Sequence, residues 1–308
     1  MLELLLLLFP MLILGNQLKE MNSAVDQLLM EYPAKNSRFF PIEKKSELPM
    51  IIEMQMQLLN FEGIDDLREE MAFVGSVLMQ WHDPLLYRPN ITGNESEFYF
   101  TVNSQDIWTP NLANTNNPND LFTLKSFGAQ NMPWIYPNQN GLVSWYPSGR
   151  FATKCPLDLT FFPFDEQLCT FRFISWDWDT TNLVIKVPSQ KPSLFTMNGG
   201  ISLEGITSDL WTIKNGTVLI GVNTYGSTNY SSIDFTLTIE RRPMYYLYTV
   251  IIPLSLLSFL QIIGLVHPHG EARPNFFMVL VLTFWVIQQG KKNKQIHSKT
   301  NLFFFTFL

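Results

Sequence analysis

Cys155 and Cys169 are the only cysteines of this 308-residue chain, and they enclose the segment CPLDLTFFPFDEQLC. A lone pair allows one short covalent loop and no other, so a fold that oxidises must bring these two positions together. Closing a loop of about 15 residues stabilises a fold by roughly 3 kcal/mol, mainly by restricting the unfolded chain. Such a bridge persists in an oxidising compartment, and the N-terminus points to one. Residues 2–14 (LELLLLLFPMLIL) are almost wholly apolar and stop at Gly15. The run is too short to span a bilayer and suits the apolar core of a secretory signal peptide over residues 1–15. Glu3 replaces the usual basic start, and the other reading is an amphipathic beginning to the chain. Four Asn-x-Ser/Thr sequons, at Asn90, Asn94, Asn215 and Asn229, lie outside the most apolar stretches, as glycan attachment requires.

The net charge is −6 and no basic stripe is present, which excludes nucleic acid as a partner because nothing neutralises phosphates. Residues 21–32 suit a short helix. Met50–Leu59 alternates apolar and polar residues over its second half, the period of a half-buried strand. Ile64-Asp65-Asp66 reads as a turn and Glu70–Trp81 as the next strand, while residues 88–120, rich in Asn, Thr and Pro, read mainly as loops. Further strands are expected at Gly141–Tyr146, Leu168–Ser175, Asn182–Val187, Leu210–Ile213, Thr217–Val222 and Ile233–Glu240. Many short strands with frequent turn residues predict an all-β sandwich, immunoglobulin-like with about ten strands, within an extracellular domain over residues 16–243.

Composition changes at Pro243. Met244–Val266 (MYYLYTVIIPLSLLSFLQIIGLV) is 23 residues without a charge, long enough to cross a bilayer as a helix. Tyr245, Tyr246 and Tyr248 gather at one end, where interfacial aromatic anchors belong. The predicted organisation is therefore a sandwich followed by α-helical transmembrane segments over residues 244–308. Within these, 275–289 is a partial second segment and 290–308 a tail. The apolar part of the second segment, Phe276–Ile287, holds only 12 residues, short of the roughly 20 needed to span. Lys291, Lys292 and Lys294 follow it at once; basic residues favour the cytoplasmic side, so one crossing followed by a cytoplasmic or re-entrant tail is expected. The final LFFFTFL reads as the end of a truncated chain.

Several motifs occur in one order: Trp81-x-Asp83, Trp108-x-Pro110, the Cys155–Cys169 loop with FPFDEQLC, Trp176 seven residues after it, Arg241-Arg242-Pro243, and Pro253 inside the first apolar helix. From about residue 50 to Gly270 the chain resembles a nicotinic-type subunit of the Cys-loop ligand-gated ion channels. The resemblance implies a plasma-membrane protein with an extracellular N-terminal domain, assembled as a pentamer with homologous subunits. It implies that a small neurotransmitter, a cationic amine among the possibilities, binds between subunits and opens a pore through the lipid bilayer. A quaternary ammonium offers no hydrogen-bond donor and is held by π faces, each worth about 0.5–2 kcal/mol when desolvated. Several rings must converge on it. By motif position Trp176 is the first such ring, with Tyr230 and Tyr225 from the hairpin before Ile233.

The chain departs from the family pattern at named places. Asn111 stands where W-x-P-D has its aspartate, Thr115 replaces an expected tyrosine, Ser76 replaces the facing-subunit tryptophan, and vicinal cysteines are absent from the 225–230 hairpin. For Trp176 and Tyr230 the alternative is ordinary packing, and for Trp81 and Trp108 core packing is the expectation. The resemblance also implies that Asp165, in the disulfide loop, faces Arg241, just before the membrane helix, with Asp65 and Asp66 joining the cluster. These four are the expected gating and coupling residues.

No nucleophile elbow, H-E-x-x-H, Walker loop or clustered His/Cys set occurs in the chain, so neither an enzyme nor a cofactor or metal is expected. His82 reads as an exposed strand end. The leading expectation is a subunit of an extracellular ligand-gated ion channel. The alternative is a pore-less, membrane-tethered or regulatory binding partner of full-length subunits.

Overall fold

The computed structural model describes residues 19, 22–33, 40–42, 44–88, 98–118, 122–124, 132–188, 196–197, 201–203, 208 and 210–266. The signal-peptide expectation, the sequons at Asn90 and Asn94, and everything from His267 onward lie outside them. The chain divides into two compact units, Met1–Thr160 with Asp165–Glu240, and Phe161–Phe164 with Arg241–Leu308.

Among the described residues the first unit has a helix over residues 22–31, α1, ahead of its strands. Two long strands follow, β1 (Met50–Asp65) and β2 (Glu70–His82). β3 (Phe100–Thr101), β4 (Leu112–Asn114), β5 (Phe122–Thr123) and β6 (Trp134–Tyr136) are short. Then come β7 (Leu142–Trp145), β8 (Ser148–Lys154), β9 (Glu166–Ser175), β10 (Leu183–Lys186), β11 (Thr196–Met197) and β12 (Ile201–Leu203). A long hairpin, β13 (Trp211–Tyr225) and β14 (Thr228–Arg241), closes the series.

Among the described residues these strands form two sheets. One has nine strands, ordered β11-β12-β1-β2-β7-β6-β3, with β10 also on β1 and β8 also on β2; the other has five, ordered β13-β14-β9-β4-β5. The alternation foreseen for β1 and β14 buries one face of each. In β14 the side chains of Ile233, Phe235, Leu237 and Ile239 are fully buried, with partly exposed residues between them. The sheets meet through aromatic contacts such as Phe73 of β2 against Phe171 of β9, ring centroids 4.9 Å apart. A single core holds them together, as two layers with one apolar face each require.

The sandwich expected from the sequence is thus observed. Its additional strands are mostly two- or three-residue pieces, two of them inside the Asn/Pro-rich 88–120 stretch. β8 escaped prediction because Ser148-Gly149-Arg150 carries no strand signal. Its pairing to β2, from Glu70↔Lys154 to Ser76↔Ser148, comes from that neighbour. The two strands expected at 210–213 and 217–222 are one, since Gly216 lies in the ladder and continues it. There the backbone partner outweighs a weak local preference.

In the second unit the apolar run is helical throughout its 23 residues, as α2 (Met244–Tyr246), a wider π-helical segment (Leu247–Ile251) and α3 (Ile252–Val266). Leu247 and Ile252 keep right-handed helical dihedrals, so the backbone does not break between the pieces. Pro253 directly follows the π-helical segment, the kind of local adjustment that accommodates a missing N–H inside a continuous helix. Divided in this way, no described helix is long and apolar enough to cross a membrane.

Candidate functional site

Trp176 leaves the end of β9 half-exposed, at 50%. β9 and β14 pair antiparallel from Glu166↔Glu240 to Ser232↔Ile174; extending that register places Tyr230 across from Trp176. Tyr225 and Tyr230 flank the two-residue turn of the β13–β14 hairpin, and their rings meet edge-on at 6.0 Å. The turn itself is fixed by Gly226, whose φ of +64° opens a hairpin of this length without a Cβ clash. The loop after Trp176 is tied to the same hairpin, because the Thr180 amide donates to the Asn229 carbonyl at 2.8 Å. The three predicted aromatic residues therefore come from the end of β9 and from the β13–β14 hairpin of the same sheet, with Trp176 and Tyr225 open to solvent and Tyr230 half-buried.

A charged pair underlies them. Arg172 grips Asp234 across the β9–β14 ladder through Nε (2.8 Å) and Nη2 (2.6 Å). The Asp234 hydrogen bonds, with a smaller pull from Tyr225, raise the guanidinium's proton affinity. This cation is thus already matched by an anion.

The aromatic residues expected in the core are there. Trp81 and Trp108 are buried and meet edge-on at 5.8 Å, and Phe40 packs against both Trp108 and Trp178. Ser76 is also buried, its hydroxyl 3.2 Å from the Gln57 side-chain oxygen. The half-buried Thr115 uses its backbone amide to bond the Arg172 carbonyl at 3.0 Å. His82 is the exposed last residue of β2.

The disulfide forms between Cys155 and Cys169, both fully buried. Gln167 explains the sequence of the loop they close. Its side chain accepts from the Asp158 amide and donates to the Asp158 carbonyl, both at 2.9 Å, and donates again to Asp165 Oδ2 at 2.7 Å. The buried amide thus acts as a piece of strand inside the loop and holds the buried Asp165 carboxylate. In the second unit Arg241 is buried with its guanidinium 5.1 Å from the Phe162 ring and 5.3 Å from that of Tyr246, whose hydroxyl it bonds at 3.0 Å. Asp65 works locally: its Oδ1 accepts from the Leu67 and Arg68 amides and shapes the β1–β2 turn. Asp66 is half-buried in that turn, and Asn215 and Asn229 are exposed on β13 and β14.

Two constellations were not foreseen. Tyr32, at the end of α1, donates its hydroxyl to buried Asp83 at 2.5 Å and accepts from the Trp108 amide at 3.2 Å. Burial pushes the Asp83 carboxyl up to about 7 and the Tyr32 hydroxyl well above the usual phenol range. The Asp83-Pro84 pair is a helix-capping signal, and Asp83 does cap the short turn after β2 through Leu85 N; nothing near Tyr32 marks it as its partner. The second is Asn111, which bonds Trp176 and Asp177 together. Only the departure from W-x-P-D pointed at it.

The model of the neurotransmitter-gated ion-channel ligand binding domain matches residues 22–243. The acetylcholine receptor subunit beta-type unc-29 of Caenorhabditis elegans is 29% identical over 227 residues, 73% of this chain and 42% of the relative. The beta-type subunit lev-1 of the same organism is 27% identical over 241 residues, 78% of this chain and 44% of the relative. The neuronal acetylcholine receptor subunit alpha-6 of Gallus gallus is 26% identical over 225 residues, 72% and 42%. The chain spans less than half the length of these relatives. With the disulfide loop, the sandwich and a matching region that covers most of the chain, it belongs to the family of the neurotransmitter-gated ion-channel ligand binding domain.

Proposed function

We propose that this chain is a subunit of an extracellular ligand-gated ion channel, in which a small cationic neurotransmitter bound at the Trp176 end of the sandwich gates a transmembrane pore. The observation that carries the reading is the exposed Trp176 just past the end of β9, on the strand that pairs with β14, whose hairpin carries the Tyr225–Tyr230 ring pair. Relatives named as acetylcholine receptor subunits favour an amine of that class. The site lies between homologous subunits of a pentamer at the plasma membrane, with the sandwich outside.

The helix over residues 244–266 is the membrane crossing. Leu256, Phe259, Leu260 and Ile262 are exposed along it, and the hydroxyls of Thr249, Ser255 and Ser258 bond to carbonyls of their own helix. A helix that satisfies its polar groups internally and exposes apolar ones suits lipid. Asp165, Arg241, Asp65 and Asp66 are the residues through which ligand occupancy reaches the pore. The burial of Asp165 and Arg241 supports that role, because a buried charge is costly to leave without its environment.

The test is expression of the full chain, alone and with full-length related subunits, with acetylcholine applied under voltage clamp. Current that appears with the chain and is lost in Trp176→Ala supports the subunit reading. Acetylcholine binding without any current, in every combination, supports the pore-less partner instead. Neither binding nor a change in current overturns both.

A further inference from the structure

The loop carrying Trp176 reads Trp176-Asp177-Trp178-Asp179, and its two carboxylates have different environments. Asp179 is occupied: its Oδ1 accepts from Thr181 Oγ1 at 2.7 Å and Asn182 Nδ2 at 2.6 Å, and these bonds hold its carboxyl below the usual range. It shapes the turn into β10. Asp177 is exposed and, among the described residues, has one polar contact, Asn111 Nδ2 to its Oδ2 at 3.1 Å. Among the described residues no cation lies within ion-pair distance of it. The arginine of the same ladder, Arg172, is already committed to Asp234.

Asn111 holds this part of the site at two points. Its carbonyl accepts from the Trp176 amide at 3.0 Å while its side-chain amide donates to the next residue, Asp177. The Trp176 backbone and the Asp177 carboxylate are thus held by one residue of a neighbouring segment. An aspartate at 111 would set a second carboxylate about 3 Å from the first, and like charges that close raise each other's energy. The amide avoids this at a cost, because Asn111 Oδ1 is buried without a partner among the described residues. Position 111 thus gives up the carboxylate of W-x-P-D, and a carboxylate stands beside the exposed tryptophan at 177.

We propose that Asp177, held by Asn111, is the anionic specificity residue of the Trp176 site and selects a cationic ligand over a neutral molecule of the same shape. This rests on Trp176 being the ligand site. An aromatic face binds an ammonium and its carbon isostere alike through dispersion and adds a cation–π term; a carboxylate attracts the cation alone. For an exposed carboxylate the attraction amounts to about tenfold in affinity, and it is screened by salt.

The probes are choline and 3,3-dimethylbutan-1-ol, its neutral isostere, titrated into the full chain purified in micelles as assembled, by saturation-transfer NMR. In the wild-type chain choline binds more tightly than the alcohol, and the preference shrinks as salt rises. Asp177→Asn lowers choline affinity about tenfold, leaves the alcohol unchanged and removes the salt dependence; Asp177→Glu keeps most of the preference. Trp176→Ala weakens both probes, and near-ultraviolet circular dichroism verifies that each variant is folded. A choline-to-alcohol ratio unchanged in Asp177→Asn overturns the role of Asp177 while leaving the Trp176 site standing. Failure of the wild-type chain to bind either probe, or binding that Trp176→Ala leaves intact, overturns the site and the inference together.

Discussion

Asp83 has a burial that its sequence neighbours do not announce. It lies between an exposed histidine and a proline, yet it is fully enclosed, with the Tyr32 hydroxyl and the Leu85 amide as partners. Gly141 closes the enclosure: its carbonyl accepts from the Asp83 amide at 2.9 Å, and with φ at +66° a Cβ there would stand 2.1 Å from the Asp83 carbonyl oxygen. Burial outweighs the hydrogen bonds and raises the carboxyl from 3.8 to about 7. Between those values the folded chain holds a proton that the unfolded chain has released. This contribution to stability is therefore full below about pH 4 and is lost as pH rises through about 7. Other carboxylates, such as Asp158 and Asp179, shift the opposite way, so the effect must be read as a difference. Thermal unfolding of the wild-type chain and Asp83→Asn from pH 4 to pH 8 should show the wild type losing about 4 kcal/mol relative to the variant across that window. A difference independent of pH would mean that Asp83 titrates as an ordinary carboxyl. The sequence shows Asp83 as a turn cap; its titration follows from α1 folding over it.

At the scale of elements, the strands β1, β9 and β14 were legible because one face of each meets the core, while β2, buried on both faces over most of its length, was legible as an apolar run between turn residues. β6 and β8 were not, since their pairing is set by neighbours rather than by their own pattern. The disulfide loop shows the same division. Its cysteines are visible in the sequence, but the work of Gln167 appears only when the loop folds back and places residue 158 within reach. Gln167→Ala leaves the Asp158 amide and carbonyl and the Asp165 carboxylate each without that partner, a loss of about 2 kcal/mol. Limited chymotrypsin digestion under non-reducing conditions is the direct readout, with cleavage at Leu159 expected to speed up several-fold while the bridge stays closed. Unchanged cleavage would show that the disulfide alone holds the loop.

For the whole molecule, the proposed orientation places Asn215 and Asn229 outside the cell, exposed on the β13–β14 hairpin. Expressed in secretory-competent cells, the chain should lose mass on endoglycosidase treatment, and Asn215→Gln and Asn229→Gln should each remove one step of that shift. A chain that enzyme treatment leaves unaltered, from cells that glycosylate a control, would place the sandwich on the wrong side of the membrane. What the sequence determined by itself is what is local and periodic: the cysteine pair, the alternating strands, the charge-free run after Pro243 and the order of the family motifs. These depend on spacing along the chain, which a linear string carries in full. Only the tertiary structure decided which carboxylates are available and which are already engaged. Asp179 and Asp177 lie two residues apart, yet one is occupied by its turn while the other stands open beside Trp176. The physical reason is that the partners of some side chains are local, as Thr181 and Asn182 are for Asp179, while those of others come from segments distant in sequence, as Tyr32 does for Asp83 and Asn111 for Asp177.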